Sequence, residues 1–171
     1  MQNAKKLHDT GLLVAAAGSG SRFGGKGNKL LHDLAGMPVI CQTLGNLLQD
    51  IEPSRCIVLV PAGVEDDFRH VVQQIDKGAE ITVLPGGASR SESVLKGLRA
   101  LPGDVCIAAI QDGARPFTSA SLLYKCVLSA RERGSGVAAR RVTDTIKRAT
   151  DTGCVIETPD RATLWAAETP Q

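Results

Sequence analysis

The chain has 171 residues, a formal net charge of +2, 43% apolar residues and 3% aromatics, which excludes two domains of ordinary size and predicts one domain with an aliphatic core. A charge so near neutral argues against binding nucleic acid or a membrane surface through bulk charge. Five scattered cysteines without a C-x-x-C pair, no apolar leader and no run of membrane-spanning length predict reduced thiols in a cytoplasmic protein, with neither a disulfide framework nor a zinc site.

In chain order, "GLLVAAA" (11–17) is a buried strand that runs into a loop of glycines and basic residues. "PVICQTLGNLLQD" (38–50) has helical spacing, "CIVLVPAG" (56–63) is a second strand, and "VEDDFRHVVQQID" (64–76) is a second helix. "ITVLPGG" (81–87), "SRSESVLKGLRAL" (89–101), "DVCIAAIQDGA" (104–114) and "SASLLYKCVLSARERG" (119–134) continue the alternation of strand and helix. This pattern predicts an α/β fold with a mostly parallel sheet, helices on both faces, and a ligand crevice at the carboxyl ends of the strands. After Gly134 the pattern breaks into short strands. "TDTIKRATDTGCVIETPD" predicts a protruding β-hairpin arm, approximately residues 142–160, with its turn near Asp151 to Gly153. Its faces need cover, which a second subunit would supply. His8, His32 and His70 have no ligand spacing. The whole chain, 1–171, is read as one domain.

The loop after the first strand fails two familiar patterns. Gly20-x-x-x-x-Gly25-Lys26 begins like a P-loop, but Gly27 stands where Ser or Thr would reach Mg²⁺. Gly18-x-Gly20 begins like a dinucleotide fingerprint, but Phe23 stands at the third glycine. What remains is a run of small residues, Ala16, Ala17, Gly18, Ser19 and Gly20, through which backbone amides approach an anion. Arg22 and Lys29 follow. Together these match a nucleoside triphosphate, whose reacting phosphate needs charge neutralised.

Two further loops face the same crevice. "PGGASRSESV" (85–94) carries a capping box, Ser89-x-x-Glu92, so a helix starts there with Arg90 and Ser93 on its first turn; Ser89 is read as a plain cap outside the site. "IQDGARPF" (110–117) supplies Asp112, which suits a ribose hydroxyl or Mg²⁺, Gly113 for close backbone approach, and Arg115 for a phosphate. No Ser/His/Asp or Cys/His constellation suggests covalent catalysis.

These motifs in order, "AAAGSGSRFGGKGNKLL", "GGASRSESVLKGL", "QDGARP", "VTDTIKR" and "TPDRATLWAAETPQ", resemble the 2-C-methyl-D-erythritol 4-phosphate cytidylyltransferase family through nearly the whole chain. The resemblance implies a Rossmann-like nucleotidyltransferase domain. It also implies CMP transfer from CTP to methylerythritol phosphate in the non-mevalonate route to isoprenoids, with Mg²⁺ or another divalent cation, in a homodimer with interlocking arms. By the same resemblance, Arg22 and Lys29 are catalytic; Ala16, Ala17, Gly18, Gly87, Ser93 and Gly113 contact CTP, joined by Ser19, Gly20 and Arg90 on the flanking loops. Asp112, Arg115, Thr145, Arg161 and Thr169 surround the acceptor, with Thr145 on the arm. Asp112 is the candidate metal ligand, the ion being held mainly by CTP phosphates.

The chain departs from the family pattern in three places. Lys26 competes with Lys29 for the catalytic role, and spacing to the following "LL" favours Lys29. Gln111 replaces a frequent His. Family members continue past "TPQ" with helical sequence and a further basic residue, so weakened acceptor binding or stability is the expectation for these 171 residues. The alternatives are a ribitol 5-phosphate cytidylyltransferase with the same CTP site, and a non-catalytic nucleotide-binding module.

Overall fold

A computed structural model describes residues 7–18 and 28–171. Strand β1 (Thr10–Ala15) leads to a 3₁₀ turn (Lys29–Leu31) and a miniature hairpin of β2 (Asp33–Leu34) and β3 (Met37–Pro38). Its two-residue turn has Ala35 and Gly36 at φ 56° and 87°, the left-handed pair that matches strand twist. Then follow α1 (Val39–Leu47), β4 (Cys56–Val60), α2 (Glu65–Val72), β5 (Thr82–Pro85), α3 (Arg90–Ala100), β6 (Ile107–Asp112) and α4 (Ala120–Arg133). The last third holds β7 (Ala139–Arg141), β8 (Arg148–Ala149), β9 (Val155–Glu157) and β10 (Trp165–Ala167).

Strands β5, β4, β1 and β6 form a parallel sheet in that order, with Leu13 opposite Ile57 on one side and Ile110 on the other. Alternation along the strands divides the core. Leu12, Val14, Val58 and Val60 face α1, α2 and α4 through Ile40, Leu44, Phe68, Val72, Leu123 and Val127. Leu13, Ile57 and Leu59 face Val94 of α3 and Leu101 just beyond it. Helix α3 comes close to this face because residue 97 is glycine: a Cβ there would sit 3.0 Å from both Leu13 and Leu59.

The predicted α/β fold with helices on both faces is therefore observed, with strands and helices shorter than their apolar runs. Proline and glycine trim the strand ends, as Pro61 does after β4 and Pro85 within β5. The ends of α3 and α4 have local causes: Ser89 and Ser119 each accept a backbone N–H of the first turn, and Gly134, at φ 83°, closes α4. The arm is a hairpin in which Arg148 opposes Glu157, and its turn passes through Gly153 at φ 84°. Strands β7 and β10 pair antiparallel at its base, where the Arg141 guanidinium lies 4.6 Å from the Trp165 ring.

The cysteines provide a test of this packing. Cys41, Cys56 and Cys126 are buried, Cys106 and Cys154 exposed, and loss of solvation pushes the Cys41 thiol up to about 11. At pH 8 the folded chain is expected to titrate two thiols rapidly with Ellman's reagent, and the other three only after unfolding.

Candidate functional site

The crevice lies where the sheet changes direction. From β1 the chain moves one way to β4 and β5, then crosses back over to reach β6 on β1's other side. Connections leaving β1 and β6 therefore part, and the carboxyl ends of these two strands open into a space of about 790 Å³. Ala15, Ala16, Ala17 and Gly18 form the β1 wall, and Asp112, Ala114 and Arg115 the β6 wall. The Gly113 N–H donates to the Ala15 carbonyl at 3.0 Å, and the Thr43 hydroxyl of α1 donates to the Gly113 carbonyl at 2.8 Å. Gly113 thus holds the two walls at a fixed spacing. A Cβ on Gly18, which lines the crevice, would meet nothing within 4 Å among the described residues.

The third wall is the β5–α3 loop, where Gly87, Ala88, Ser89, Arg90 and Ser93 line the crevice. The Ser93 side chain is buried; its Oγ accepts from Gly87 N–H at 2.9 Å and donates to the Ser89 carbonyl at 2.8 Å. Ser89 Oγ accepts from Glu92 N–H at 3.1 Å, while the Glu92 carboxylate accepts from Ala88 N–H at 2.9 Å. A variant of the predicted capping box therefore shapes the loop, and Ser93 serves as its internal strut. Gly87 leaves room for it, since a Cβ there would lie 2.5 Å from the Glu92 side chain. Ser89 is a cap as expected, yet it also lines the crevice.

Charged side chains enter the crevice from several of its lining segments. Lys29 opens the 3₁₀ turn and lines the crevice; its backbone is fixed by the Asn28 side chain, which accepts from Leu30 N–H at 3.0 Å, and by the buried Leu30. Arg90 Nη1 donates to Asp112 Oδ1 at 2.7 Å, and Arg115 Nε to Asp112 Oδ2 at 3.3 Å. Arg115 Nη1 donates to Glu168 Oε2 at 3.2 Å, and Arg140 Nε to Glu168 Oε1 at 3.1 Å. The result is a chain of alternating charges from the crevice to the base of the arm.

The structure thus brings together Ala16, Ala17, Gly18, Lys29, Gly87, Arg90, Ser93, Asp112 and Arg115, with Gly113 stitching them. Thr169 is buried behind the wall, its Oγ1 accepting from Asp112 N–H at 3.2 Å, so in this chain it holds the Asp112 backbone. Thr145 is exposed on the arm, and Arg161 donates from Nη1 to the Thr143 carbonyl at 2.7 Å; neither lines the crevice. Ser19, Gly20, Arg22 and Lys26 lie outside the described residues. Sequence reading missed Glu168 and Arg140, and no local signal marks them, because Arg115 and Glu168 are 53 residues apart.

The small-residue backbone and, among the described residues, one lysine and two arginines suit a polyphosphate. No histidine or cysteine lines the crevice among the described residues. Asp112 is the single carboxylate among the lining residues, and no cluster of three candidate metal-ligating side chains occurs among the described residues. That donor set fits a Mg²⁺ ion that draws most of its oxygens from a polyphosphate, not one held by a cage of protein ligands.

Sequence and structure comparisons converge. A sequence profile described as 2-C-methyl-D-erythritol 4-phosphate cytidylyltransferase matches residues 11–171. The protein of that name from Parasynechococcus marenigrum (strain WH8102) is 44% identical over 161 residues, which cover 94% of this chain and 70% of the relative. Its namesake from Bacillus velezensis is 38% identical over 160 residues, covering 94% and 68%. Among solved structures, the 4-diphosphocytidyl-2C-methyl-D-erythritol synthase of Anaerococcus prevotii superposes with a TM-score of 0.77 at 26% identity, covering 95% of this chain and 68% of that one. The 2-C-methyl-D-erythritol 4-phosphate cytidylyltransferase of Thermus thermophilus gives 0.69 at 26% identity, covering 94% and 68%.

Proposed function

Because this chain belongs to the 2-C-methyl-D-erythritol 4-phosphate cytidylyltransferase family, we propose that the crevice between β1 and β6 transfers CMP from CTP to 2-C-methyl-D-erythritol 4-phosphate, releasing pyrophosphate. The observation that carries this reading is the convergence of Lys29, Arg90, Asp112 and Arg115 on the bare backbone of Ala16 to Gly18 at the point where the strand order reverses.

An oxygen of the acceptor phosphate attacks the α-phosphorus of CTP in line, the bond to the bridging oxygen breaks, and pyrophosphate departs with the electron pair. The attacking phosphate is already anionic, so the step needs no general base; it needs alignment and neutralisation of the crowded negative charge. Lys29, with Arg22, supplies that charge. The residues Ala16–Gly20 and Gly87 admit the nucleotide and its phosphates to close backbone contact. Ser93 supports this loop from inside, Gly113 sets the width, and Arg90 reaches in from the start of α3. On the acceptor side Arg115 meets the phosphate, and Asp112, its backbone held by Thr169, orients Arg115 and Arg90. Mg²⁺ neutralises charge on the departing pyrophosphate when bound, and Asp112 would hold it together with phosphate oxygens.

Thr145 and Arg161 reach an acceptor only across a subunit boundary, with a partner's arm laid over the crevice. The arm and its base support a homodimer by their exposed apolar side chains, Ile146, Val155, Ile156 and Trp165, which are 37% to 62% exposed in the single chain. The scattered cysteines, without disulfide spacing, support a cytoplasmic location; no helix of the described residues is long and apolar enough to cross a membrane.

The test is pyrophosphate release from CTP and Mg²⁺ with methylerythritol 4-phosphate or ribitol 5-phosphate as acceptor. Release with the first alone is the expected result. Release with the second alone would move the assignment to ribitol phosphate, and silence with both, alongside measurable CTP binding, would leave a nucleotide-binding module.

A further inference from the structure

Two members of the charge chain, Glu168 and Arg140, take no part in the transfer itself. Glu168 divides its carboxylate between two arginines, accepting from Arg115 Nη1 at 3.2 Å and from Arg140 Nε at 3.1 Å. Its backbone is fixed on both sides: the Glu168 N–H donates to the Ala138 carbonyl at 2.7 Å, and the Glu168 carbonyl accepts from Gln171 Nε2 at 2.9 Å. The next residue, Thr169, accepts from Asp112 N–H. Two adjacent residues of the C-terminal segment therefore grip the crevice wall twice, one through the Asp112 backbone and one through the Arg115 side chain.

We propose that Glu168 is a positioning residue that holds the Arg115 guanidinium toward the acceptor and ties it to Arg140 at the base of the arm. The proposal rests on the reading of Arg115 as an acceptor-phosphate ligand. A guanidinium is planar, with five N–H donors in a fixed fork. Contacts at two of its nitrogens, Nε to Asp112 and Nη1 to Glu168, fix both its plane and its rotation. Among the described residues these contacts use two of the five donors, and the other three are left for an incoming phosphate. Flexible side chains that must be ordered on binding weaken affinity, and Glu168 orders Arg115 beforehand. Stability is not the purpose: the Glu168 and Arg115 side chains are 36% and 41% exposed, and ion pairs so open to water contribute little to folding. Arg140 belongs to β7, the strand that leads into the arm, so the same carboxylate links the seating of the arm to the setting of Arg115.

The experiment compares Glu168→Ala, Glu168→Gln, Arg115→Ala and the Glu168→Ala/Arg115→Ala double variant in pyrophosphate release. A parallel ¹⁵N relaxation measurement follows the Arg115 Nε–H in the substrate-free chain, its signal assigned through Arg115→Lys. Glu168→Ala is expected to raise the KM for methylerythritol 4-phosphate about tenfold, with kcat and the KM for CTP within about twofold. Glu168→Gln, which keeps an acceptor oxygen, recovers part of the loss. In the Arg115→Ala background Glu168→Ala adds nothing, because the two act as one unit. The Arg115 Nε order parameter falls in Glu168→Ala. Additive losses in the double variant, or an unchanged order parameter, would overturn the proposal. If the unmodified chain releases no pyrophosphate with any acceptor, the functional reading fails, and the relaxation measurement alone then decides whether Glu168 positions Arg115.

Discussion

Replacing Lys29 with alanine is expected to lower kcat by about two to three orders of magnitude, the usual cost of removing a preorganised group that meets charge developing in the transition state. The KM for CTP is expected to stay within about threefold, because the loss falls on an interaction that strengthens only as the α-phosphorus becomes crowded. The backbone explains why this lysine, and not Lys26, is expected to carry the role. Lys29 sits between the Asn28 cap and Leu30, whose side chain is buried in the main core, so its Cα is held against the β1–β6 walls. Lys29→Arg keeps the charge on a bulkier, planar head and is expected to recover a fraction of the rate. Lys26→Ala is the control and should retain most of the activity. Single-turnover pyrophosphate release at saturating CTP separates the two, and the reverse ranking would transfer the catalytic role to Lys26.

Gly86→Val is expected to raise the KM for CTP about ten- to hundredfold and to cost about 1–3 kcal/mol of stability, the range for overpacking a tight site. Gly86 is clamped from both directions: its N–H donates to the Val60 carbonyl at 2.7 Å, and its carbonyl accepts from Lys96 Nζ at 2.9 Å. A Cβ there would fall 2.5 Å from the Ala17 Cβ and 2.8 Å from the Ser93 Oγ. The β1 wall and the β5–α3 loop must then separate, and the strut from Ser93 to Gly87 N–H breaks with them. Gly18→Ala gives the contrast. Among the described residues a Cβ at Gly18 meets nothing within 4 Å, so that variant is expected to melt at the unmodified temperature and lose only nucleotide affinity. Thermal melts beside CTP titrations distinguish the two mechanisms, and equal melting temperatures for Gly86→Val and the unmodified chain would refute the steric argument.

The alternation of strands and helices, the cap at Ser89, the arm's turn at Gly153 and the three polar loops are all legible in the residues themselves. Each rests on a local cause: the period of a strand or a helix, a side chain that satisfies free amides within one turn, or a backbone angle that glycine adopts freely. Gly87 came from the family resemblance, while local chemistry also brought out Ala16, Ala17, Gly18, Lys29, Arg90, Asp112 and Arg115, small or charged residues at strand ends that line the crevice. It went no further than a residue's near neighbours. Strand order is set by which faces bury best across the whole chain, so the adjacency of β1 and β6, and with it the crevice, emerges only on folding. The same holds for contacts. The Thr169 hydroxyl meets the Asp112 N–H, Thr145 and Arg161 do not line this chain's crevice, and none of these placements is written in the residues' own segments. Glu168 carries no signal within its own segment, since its meaning comes from Arg140, brought to it by the β7–β10 pairing, and from Arg115, brought to it where Gln171 docks on Ile110 of β6; no local period specifies either. Composition and spacing dictate what each segment can form; long-range pairing dictates which charges meet.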